Sequence, residues 1–242
     1  MTITSQHNTK LKEIRKLSQR RRSRDRAARF VAEGEDLLAA ADAAGWEPVE
    51  RYCAAGSGLP GVEVEPELLA AASGLGSGTR ALAVYDERWA PAPLGPLCVY
   101  LHGLQDPGNV GAVLRSAQAF GAASVAVGPG TADPFGPKAV RASMGAVFAV
   151  ALCRAPRLDA LPGCKLALVA GRGEPLQSLA ATGELSASSQ VTLLVGAERE
   201  GLPEDVIARA ERVAHIPIET ESLNAAMAAT IALYEVSRIS RA

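Results

Sequence analysis

The sequence of 242 residues has no uncharged apolar run that approaches the roughly 20 residues a membrane-spanning helix needs. Its N-terminus lacks the hydrophobic region of a secretory signal peptide. Aromatic residues make up only 4% of the chain, whereas 48% of all residues are hydrophobic, enough for a sizeable core. We therefore expect a soluble, cytoplasmic protein without a membrane partner, built as one large domain or as a small domain joined to a larger one.

Cysteine motifs are absent as well. The four cysteines, Cys53, Cys98, Cys153 and Cys164, form no CxxC pair, and no histidine lies near them at metal-ligand spacing. Isolated cysteines of this kind are typical of buried thiols in a reducing compartment. We expect neither a metal site nor a disulfide.

Positive charge is concentrated near the N-terminus, although the formal net charge is only −1. Residues 10–29, the basic segment, hold ten basic and two acidic residues, so the rest of the chain holds 15 basic and 24 acidic residues. Leu11, Ile14 and Leu17 recur at helical spacing, which indicates an ordered, docked helix. The asymmetry favours a polyanionic partner. The simpler alternative is a solvated helix face.

A proline-rich stretch divides the sequence. Three prolines and a glycine fall within "WAPAPLGPL", so we predict a linker at 91–96 between two domains. In the first domain, residues 1–90, a helix is predicted at 36–44 and strands at 49–54 and 82–85. This alternation suits a small α/β module.

The second domain, residues 97–242, alternates apolar strands with helices. The predicted strands lie at 98–101, 124–127, 166–170, 191–195 and 213–218. Such uniformly apolar strands indicate a parallel sheet covered on both faces, whose ligands bind beyond the carboxyl ends of the strands. A nucleotide-binding Rossmann domain is excluded, because "GPGTAD" and "GRGEPL" lack its third glycine and no GxxxxGK[ST] loop occurs.

The segment "DPGNVGAVLRSAQAFGA", residues 106–122, predicts a helix with an unusual second face. Asp106 is the expected N-cap and Pro107 the first helical residue, and apolar side chains form one continuous stripe. The second face combines small residues with one long cation, namely Gly108, Gly111, Ala112 and Arg115. Because an interior glycine costs up to about 1 kcal/mol relative to alanine, something is predicted to approach this backbone closely.

Two further segments complete a pattern with this helix. They are "LLVGAEREGLP", residues 193–203, and "IPIETESLNAAMAATIALYE", residues 216–235. Together with Asn109 and Arg115 on the helix, they resemble, in order and spacing, the motifs of the SpoU/TrmH family of RNA ribose 2′-O-methyltransferases in the SPOUT superfamily. Residues 133–148 are similar to the stretch between the first two motifs of the ribosomal RNA members, and "FVAEGEDLL" resembles part of an L30e-like RNA-binding domain.

This resemblance implies a fold and an activity. The expected fold is α/β, with a C-terminal parallel-sheet SPOUT domain that contains a deep trefoil knot and a small N-terminal α/β L30e-like domain. The expected reaction is methyl transfer from S-adenosylmethionine, bound in a bent form, to a ribose 2′-hydroxyl. A homodimer is expected to complete the site. The RNA is expected to be ribosomal, of the 23S type, rather than transfer RNA.

The resemblance also assigns roles to residues. The candidate catalytic residues are Arg115, Asn109, Glu198, Ser222 and Asn224. The candidate cofactor-binding residues are Gly196, Ile216, Leu223 and Gly201. The charge pattern, rather than the resemblance, gives the candidate RNA-binding residues, whose alternative is a solvated helix face: Lys10, Lys12, Arg15, Arg20, Arg21, Arg22, Lys138 and Arg141.

Several of these roles have alternatives. Arg115 is described as a general base in the family, but a guanidinium with a pKa above about 12 is better suited to orient the hydroxyl and stabilise the alkoxide. Ser222 is the expected N-cap of the last helix, above an apolar series that includes Met227 and Tyr234. The alternative to an enzyme is a non-catalytic RNA-binding or ribosome-assembly protein that keeps the fold.

Overall fold

The computed structural model describes residues 2–74, 78–155, 157–181 and 190–239. The chain divides into two compact units. The N-terminal unit comprises Met1–Arg88 and Asp133–Ala149, and the C-terminal unit comprises Trp89–Ala132 and Val150–Ala242. The chain therefore passes between the units at three peptide bonds.

The N-terminal unit is a four-stranded sheet with helices. Its helices are α1 (Thr9–Gln19), α2 (Arg21–Ala27), α3 (Glu35–Ala43), α4 (Pro66–Ala72), α6 (Pro137–Ser143) and α7 (Ala146–Ala149). Its strands are β1 (Arg29–Glu33), β2 (Glu50–Ala54), β3 (Val62–Val64) and β4 (Ala81–Asp86). The strand order is β1-β4-β2-β3, in which β4 is antiparallel to both neighbours and β2 is parallel to β3.

The helical prediction for the basic segment is confirmed. The α1 helix begins after Asn8, whose side chain accepts a hydrogen bond from the Lys10 N–H. Leu11, Ile14 and Leu17 are buried and pack in one core with residues of β1, β2 and β4. This apolar stripe anchors the helix and leaves most of its cations on the opposite face.

An aromatic cluster explains why residues 133–149 group with the N-terminal unit. Phe135 is fully buried, and its ring lies 4.7 Å from that of Phe30. Phe148 lies 5.2 Å from both Trp46 and Tyr85, and its carbonyl oxygen accepts a hydrogen bond from the Trp46 indole. The sequence had placed this segment in the second domain because it stands between two strands of that domain.

The C-terminal unit confirms the predicted parallel sheet. Its strands are β5 (Leu97–Leu101), β6 (Ser124–Val127), β7 (Ala151–Arg154), β8 (Cys164–Leu168), β9 (Glu174–Pro175), β10 (Val191–Val195) and β11 (Arg212–His215), in the order β7-β6-β5-β10-β8-β11-β9. All the pairings are parallel. Its α-helices are α5 (Pro107–Ala119), α8 (Ser178–Ala181), α9 (Glu204–Ile207) and α10 (Ala225–Ile239). The trefoil knot stays a prediction.

The α5 helix begins as the sequence predicts. The Asp106 carboxylate accepts hydrogen bonds from the N–H groups of Gly108 and Asn109, at 2.5 and 3.3 Å. One face of α5 packs against α10, and the Ser116 and Thr230 hydroxyls lie 2.6 Å apart across the two helices. Gly111 is buried in this helix, and the close approach to its backbone stays a prediction.

The last helix departs from the sequence prediction in two ways. Its N-cap is Asn224, not Ser222, because the Asn224 Oδ1 atom accepts from the N–H groups of Ala226 and Met227 at 3.0 and 3.2 Å. The expected apolar series is also exposed, with Met227 63% and Tyr234 48% accessible. The buried face instead consists mainly of alanines: Ala225, Ala226, Ala229, Ala232, Leu233 and Val236.

None of the helices in the described ranges is long and apolar enough to cross a membrane. The described residues also contain no group of three or more His, Cys, Asp or Glu side chains that could hold a metal ion. All four cysteines are free, and burial raises the pKa of the Cys153 thiol to about 12. Such a thiol stays protonated at neutral pH and is therefore a poor nucleophile.

Candidate active site

A cleft opens at the carboxyl edge of the C-terminal sheet, beyond the ends of β8, β10 and β11. The space inside the cleft measures about 160 Å³, and the cleft is open to solvent on one side. Apolar side chains line part of it, namely Leu168, Val169, Ile216, Ile218 and Leu223. The cleft therefore offers an apolar surface where a parallel sheet is expected to bind its ligand.

The loop after β10 forms another wall of the cleft and folds tightly on itself. Ala197 and Gly201 exchange two backbone hydrogen bonds, at 3.0 and 3.1 Å. A Cβ atom on Gly196 would lie 2.2 Å from the carbonyl carbon of Gly201 and 2.4 Å from the Leu202 nitrogen. The loop can therefore close over Gly196 only because this residue has no side chain.

Glu198 holds the start of α5 from this loop. Its Oε1 atom accepts from the Asn109 side-chain amide at 2.8 Å and from the Asp106 N–H at 3.2 Å. Its Oε2 atom accepts from the Gln105 N–H at 3.3 Å. Partial burial raises the pKa of the Glu198 carboxyl, but these hydrogen bonds outweigh it, so the pKa lies below its ordinary value. The carboxylate is thus ionised at neutral pH.

Asn224 extends this network to the last helix. Its side-chain amide donates to the Asn109 Oδ1 atom at 3.1 Å, while its own Oδ1 atom caps α10. The side chain of Asn109 therefore bridges Glu198 and Asn224. One hydrogen-bonded chain thus joins a residue from each of the three motifs that the sequence singles out.

The other predicted site residues fall into two groups. Gly196, Gly201, Ser222 and Leu223 line the cleft, as do Ile216 and Glu198. Arg115 lies on α5, where its side chain is exposed and makes no hydrogen bond or ion pair with any residue that the structure describes. Its guanidinium is therefore available to a ligand.

Sequence reasoning missed several residues of the cleft. Leu168 is the last residue of β8, Ala170 follows that strand, and Arg199 lies in the loop after β10. The rule that ligands bind at the carboxyl ends of parallel strands could have identified the first two. No sequence signal indicated that the backbone N–H groups of Gln105 and Asp106 bind Glu198.

The predicted RNA-binding cations lie in the N-terminal unit, and some are engaged internally. Lys10 pairs with Glu50 and Arg21 with Asp25. Arg141 lies 3.7 Å from the buried carboxylate of Glu33. Within the described ranges, the following cations of the basic segment have no carboxylate partner: Lys12, Arg15, Lys16, Arg20, Arg22 and Arg26. Lys138 is exposed at the start of α6.

These features define a parallel α/β domain with a cleft at its strand ends, together with a second, smaller α/β unit. Residues 96–234 match the SpoU rRNA Methylase family, and residues 8–84 match the MRM3-like substrate binding domain. The chain therefore belongs to the SpoU rRNA methylase family, as the motifs indicated.

Similar proteins carry related names. The Ribosomal RNA small subunit methyltransferase G 2 of Syntrophobacter fumaroxidans is 43% identical over 159 residues, 63% of this chain and 30% of that protein. The 23S rRNA (guanosine(2553)-2′-O)-methyltransferase of Bacillus subtilis is 33% identical over 138 residues, 56% of this chain and 56% of that protein. The chain thus spans less than two thirds of the length of these two relatives.

Solved structures match over nearly the whole chain. An AdoMet-bound rRNA methyltransferase from Sinorhizobium meliloti is 29% identical, with a TM-score of 0.85 over 98% of this chain and 97% of that one. This likeness supports the fold of both units.

Proposed function

We propose that this protein transfers a methyl group from S-adenosylmethionine to a ribose 2′-hydroxyl of ribosomal RNA. The observation that carries the proposal is the Glu198–Asn109–Asn224 chain of hydrogen bonds, which joins all three family motifs beside one cleft. The names of the relatives from Bacillus subtilis and Sinorhizobium meliloti support the same reaction and cofactor. The Bacillus relative also supports a 23S RNA over transfer RNA.

The cleft suits the adenosyl part of the cofactor. An adenine ring can pack on the apolar side chains of Ile216 and Leu223, which line the cleft opposite the loop after β10. Gly196 and Gly201 keep that loop folded tightly enough to form the wall. When bound, S-adenosylmethionine supplies an electrophilic methyl group on a sulfonium.

Arg115 is the residue that we assign to the RNA hydroxyl. In the reaction the hydroxyl oxygen would bond to the methyl carbon, the sulfur–methyl bond would break with its electron pair kept by sulfur, and the hydroxyl proton would pass to solvent water. The free guanidinium of Arg115 can donate to this oxygen and to a neighbouring phosphate together, which orients the nucleophile and stabilises its developing charge. A guanidinium is too weak an acid to be deprotonated in a protein, so Arg115 has no free electron pair with which to act as a base.

Glu198 and Asn109 hold the start of α5 in place rather than take part in proton transfer. The Glu198 carboxylate already accepts from three donors, and its lowered pKa makes it a weak base. We therefore assign it to holding the start of α5, which carries Arg115, at the cleft. Ser222 lines the same cleft and can donate its hydroxyl to a bound ligand.

The N-terminal unit is assigned to binding structured RNA. Its match to a substrate binding domain and the unpaired cations of the basic segment support this role. Lys138 and Arg141 are secondary candidates, because Arg141 is partly committed to Glu33. An enzyme that modifies ribosomal RNA works where ribosomes are made, so we infer a cytoplasmic location.

A second copy of the chain is the proposed partner of α10. Met227, Ile231 and Tyr234 recur at helical spacing and remain 63%, 38% and 48% accessible. An apolar stripe of this kind on a helix favours burial against another surface. We infer a homodimer that covers this stripe.

Substitution of Arg115 tests the proposal. Arg115→Ala should abolish methyl transfer to RNA that lacks the modification, while calorimetry should show nearly unchanged affinity for S-adenosylmethionine. Arg115→Lys should also be severely impaired, because an ammonium cannot engage two oxygens in the planar arrangement of a guanidinium.

Two results would contradict this assignment. Near-normal turnover of the lysine variant would exclude the proposed role of Arg115. Absence of both cofactor binding and methyl transfer in the wild-type protein would favour the alternative, a non-catalytic RNA-binding protein.

A further inference from the structure

Arg24 differs from the cations around it in the basic segment because its side chain is buried. Only 7% of the side chain is accessible, and its Nε atom donates to the Asp133 Oδ2 atom at 2.8 Å. Its Nη1 atom donates to the Leu17 carbonyl oxygen at 2.7 Å. The guanidinium is therefore committed to protein partners, whereas Arg22 and Arg26 on the same helix are exposed.

Asp133 is equally fixed within the N-terminal unit. Its side chain is 12% accessible, and its Oδ1 atom accepts from the Phe135 N–H at 2.9 Å. A Cβ atom on Gly136 would lie 3.1 Å from the Asp133 carbonyl oxygen, so the turn is closely packed. Phe135 is fully buried in the aromatic cluster. Asp133 thus joins α2 to the start of the segment 133–149.

The residues that precede Asp133 belong to the C-terminal unit and brace the loop before α5. The Ala132 N–H donates to the Leu104 carbonyl oxygen at 2.8 Å, and the Thr131 hydroxyl donates to the Leu101 carbonyl oxygen at 2.8 Å. Leu104 immediately precedes Gln105, whose N–H binds Glu198. A short path therefore runs from Arg24 through one peptide bond to the start of α5.

We propose that Arg24 and Asp133 are positioning residues that couple RNA binding by the basic segment to the placement of α5 for methyl transfer. This inference rests on the proposed function. Arg22 and Arg26 are exposed on α2, where RNA phosphates can bind them. The Arg24–Asp133 pair joins this same helix to residues 128–133. The pair makes RNA binding and the order of the loop at 103–106 interdependent.

Three variants separate this role from direct RNA contact. Arg24→Lys keeps the positive charge but replaces the separate Nε and Nη1 donors by one nitrogen, and Asp133→Asn removes a negative charge while keeping the Oδ1 acceptor. Arg22→Ala is the matched control, because its side chain is exposed on the same helix. Steady-state kinetics with RNA, cofactor titration and RNA binding at several salt concentrations are measured for each.

Both positioning variants should lower kcat at saturating RNA by about 2- to 30-fold, the range expected for energetic coupling between sites. The kcat is normalised to the number of cofactor-binding sites, so loss of folded protein does not affect it. The double variant should be no worse than either single variant, since both break the same link. Arg22→Ala removes one of several phosphate contacts, so at saturating RNA its kcat should fall less than that of either positioning variant, while its KM rises and the slope of log affinity against log salt flattens by roughly 0.7 to 0.9.

Hydrogen exchange provides a measurement that does not depend on turnover. RNA should slow exchange at the amides of residues 103–109 in the wild type and in Arg22→Ala at saturating RNA, but not in Asp133→Asn. Unchanged kcat with a raised KM in Arg24→Lys, or equal protection by RNA in all the variants, would overturn the inference. A wild-type protein that binds RNA without methylating it would refute the proposed function, and the exchange data would still decide this coupling.

Discussion

Gly196 offers a direct test of the cofactor cleft, because the structure leaves no room for a side chain there. In Gly196→Ala the new Cβ atom would lie 2.2 Å from the Gly201 carbonyl carbon and 2.4 Å from the Gly201 oxygen and the Leu202 nitrogen. Ordinary contact requires about 3.4 Å or more, so the backbone around Gly201 must move by about 1 Å. Backbone atoms cannot yield by a change of rotamer, so the whole loop moves.

The displacement should break the two hydrogen bonds between Ala197 and Gly201. At about 0.5 to 1.5 kcal/mol each, their loss corresponds to about 1 to 3 kcal/mol. Because this loop is a wall of the cleft, affinity for S-adenosylmethionine should fall by about 5- to 150-fold. The affinity is measured by calorimetry, and circular dichroism verifies that the variant is folded.

Gly201→Ala is the matched control. A Cβ atom on Gly201 has no neighbour within 4 Å, so only its backbone φ of +67° opposes the substitution. That strain costs about 1 to 2 kcal/mol in the folded loop without filling the cleft. Affinity of Gly196→Ala equal to that of the wild type, or a larger loss in Gly201→Ala than in Gly196→Ala, would refute the placement of the cofactor beside this loop.

Three further predictions concern other parts of the chain. Hydrogen bonds lower the pKa of the Glu198 carboxyl in the folded protein. The carboxylate therefore stabilises the fold above its ordinary pKa of 4.5, and this contribution is lost as the pH falls through the lower folded value. Between pH 6 and 3 the melting temperature of Glu198→Gln should therefore fall less than that of the wild type. A fragment of residues 97–242 should bind the cofactor. Trypsin should cut this fragment after Arg141 faster than it cuts the full chain, because Phe135 and Phe148 lose their aromatic partners in the fragment. Equal cleavage rates in the fragment and the full chain would contradict this packing. Met227→Glu combined with Tyr234→Glu should give a monomer in sedimentation, and a persistent dimer would place the interface elsewhere.

The sequence was informative where one pattern dominated a segment. Uniform apolar runs with turns on both sides identified β5, β6 and β10 almost to the residue. The run 142–153 concealed β7, because the apolar residues of α7 continue without a polar boundary into the strand. β9 was missed because Glu174–Pro175 is too short for any periodicity. Local pattern therefore predicts an element only where its ends are marked.

Tertiary partners decided what local pattern could not. Residues 133–149 pack with the N-terminal unit because Phe135 and Phe148 find aromatic partners there, and no sequence period encodes that choice. At the last helix, Ser222 and Asn224 are both good capping residues by type. Asn224 is the N-cap in the structure, and its amide also reaches Asn109. A residue that serves two partners can be assigned only when both are in place.

The basic segment shows how charge and function separate within one stretch of sequence. Composition alone does not distinguish its ten cations from one another as partners of RNA phosphates. In the structure Arg24 is buried against Asp133 while Arg22, two residues away, is exposed. A buried pair loses more when one partner is removed than an exposed cation does, because the remaining charge stays uncompensated. Substitution of Arg22 should therefore change mainly the salt dependence of RNA affinity, whereas substitution of Arg24 should change mainly kcat.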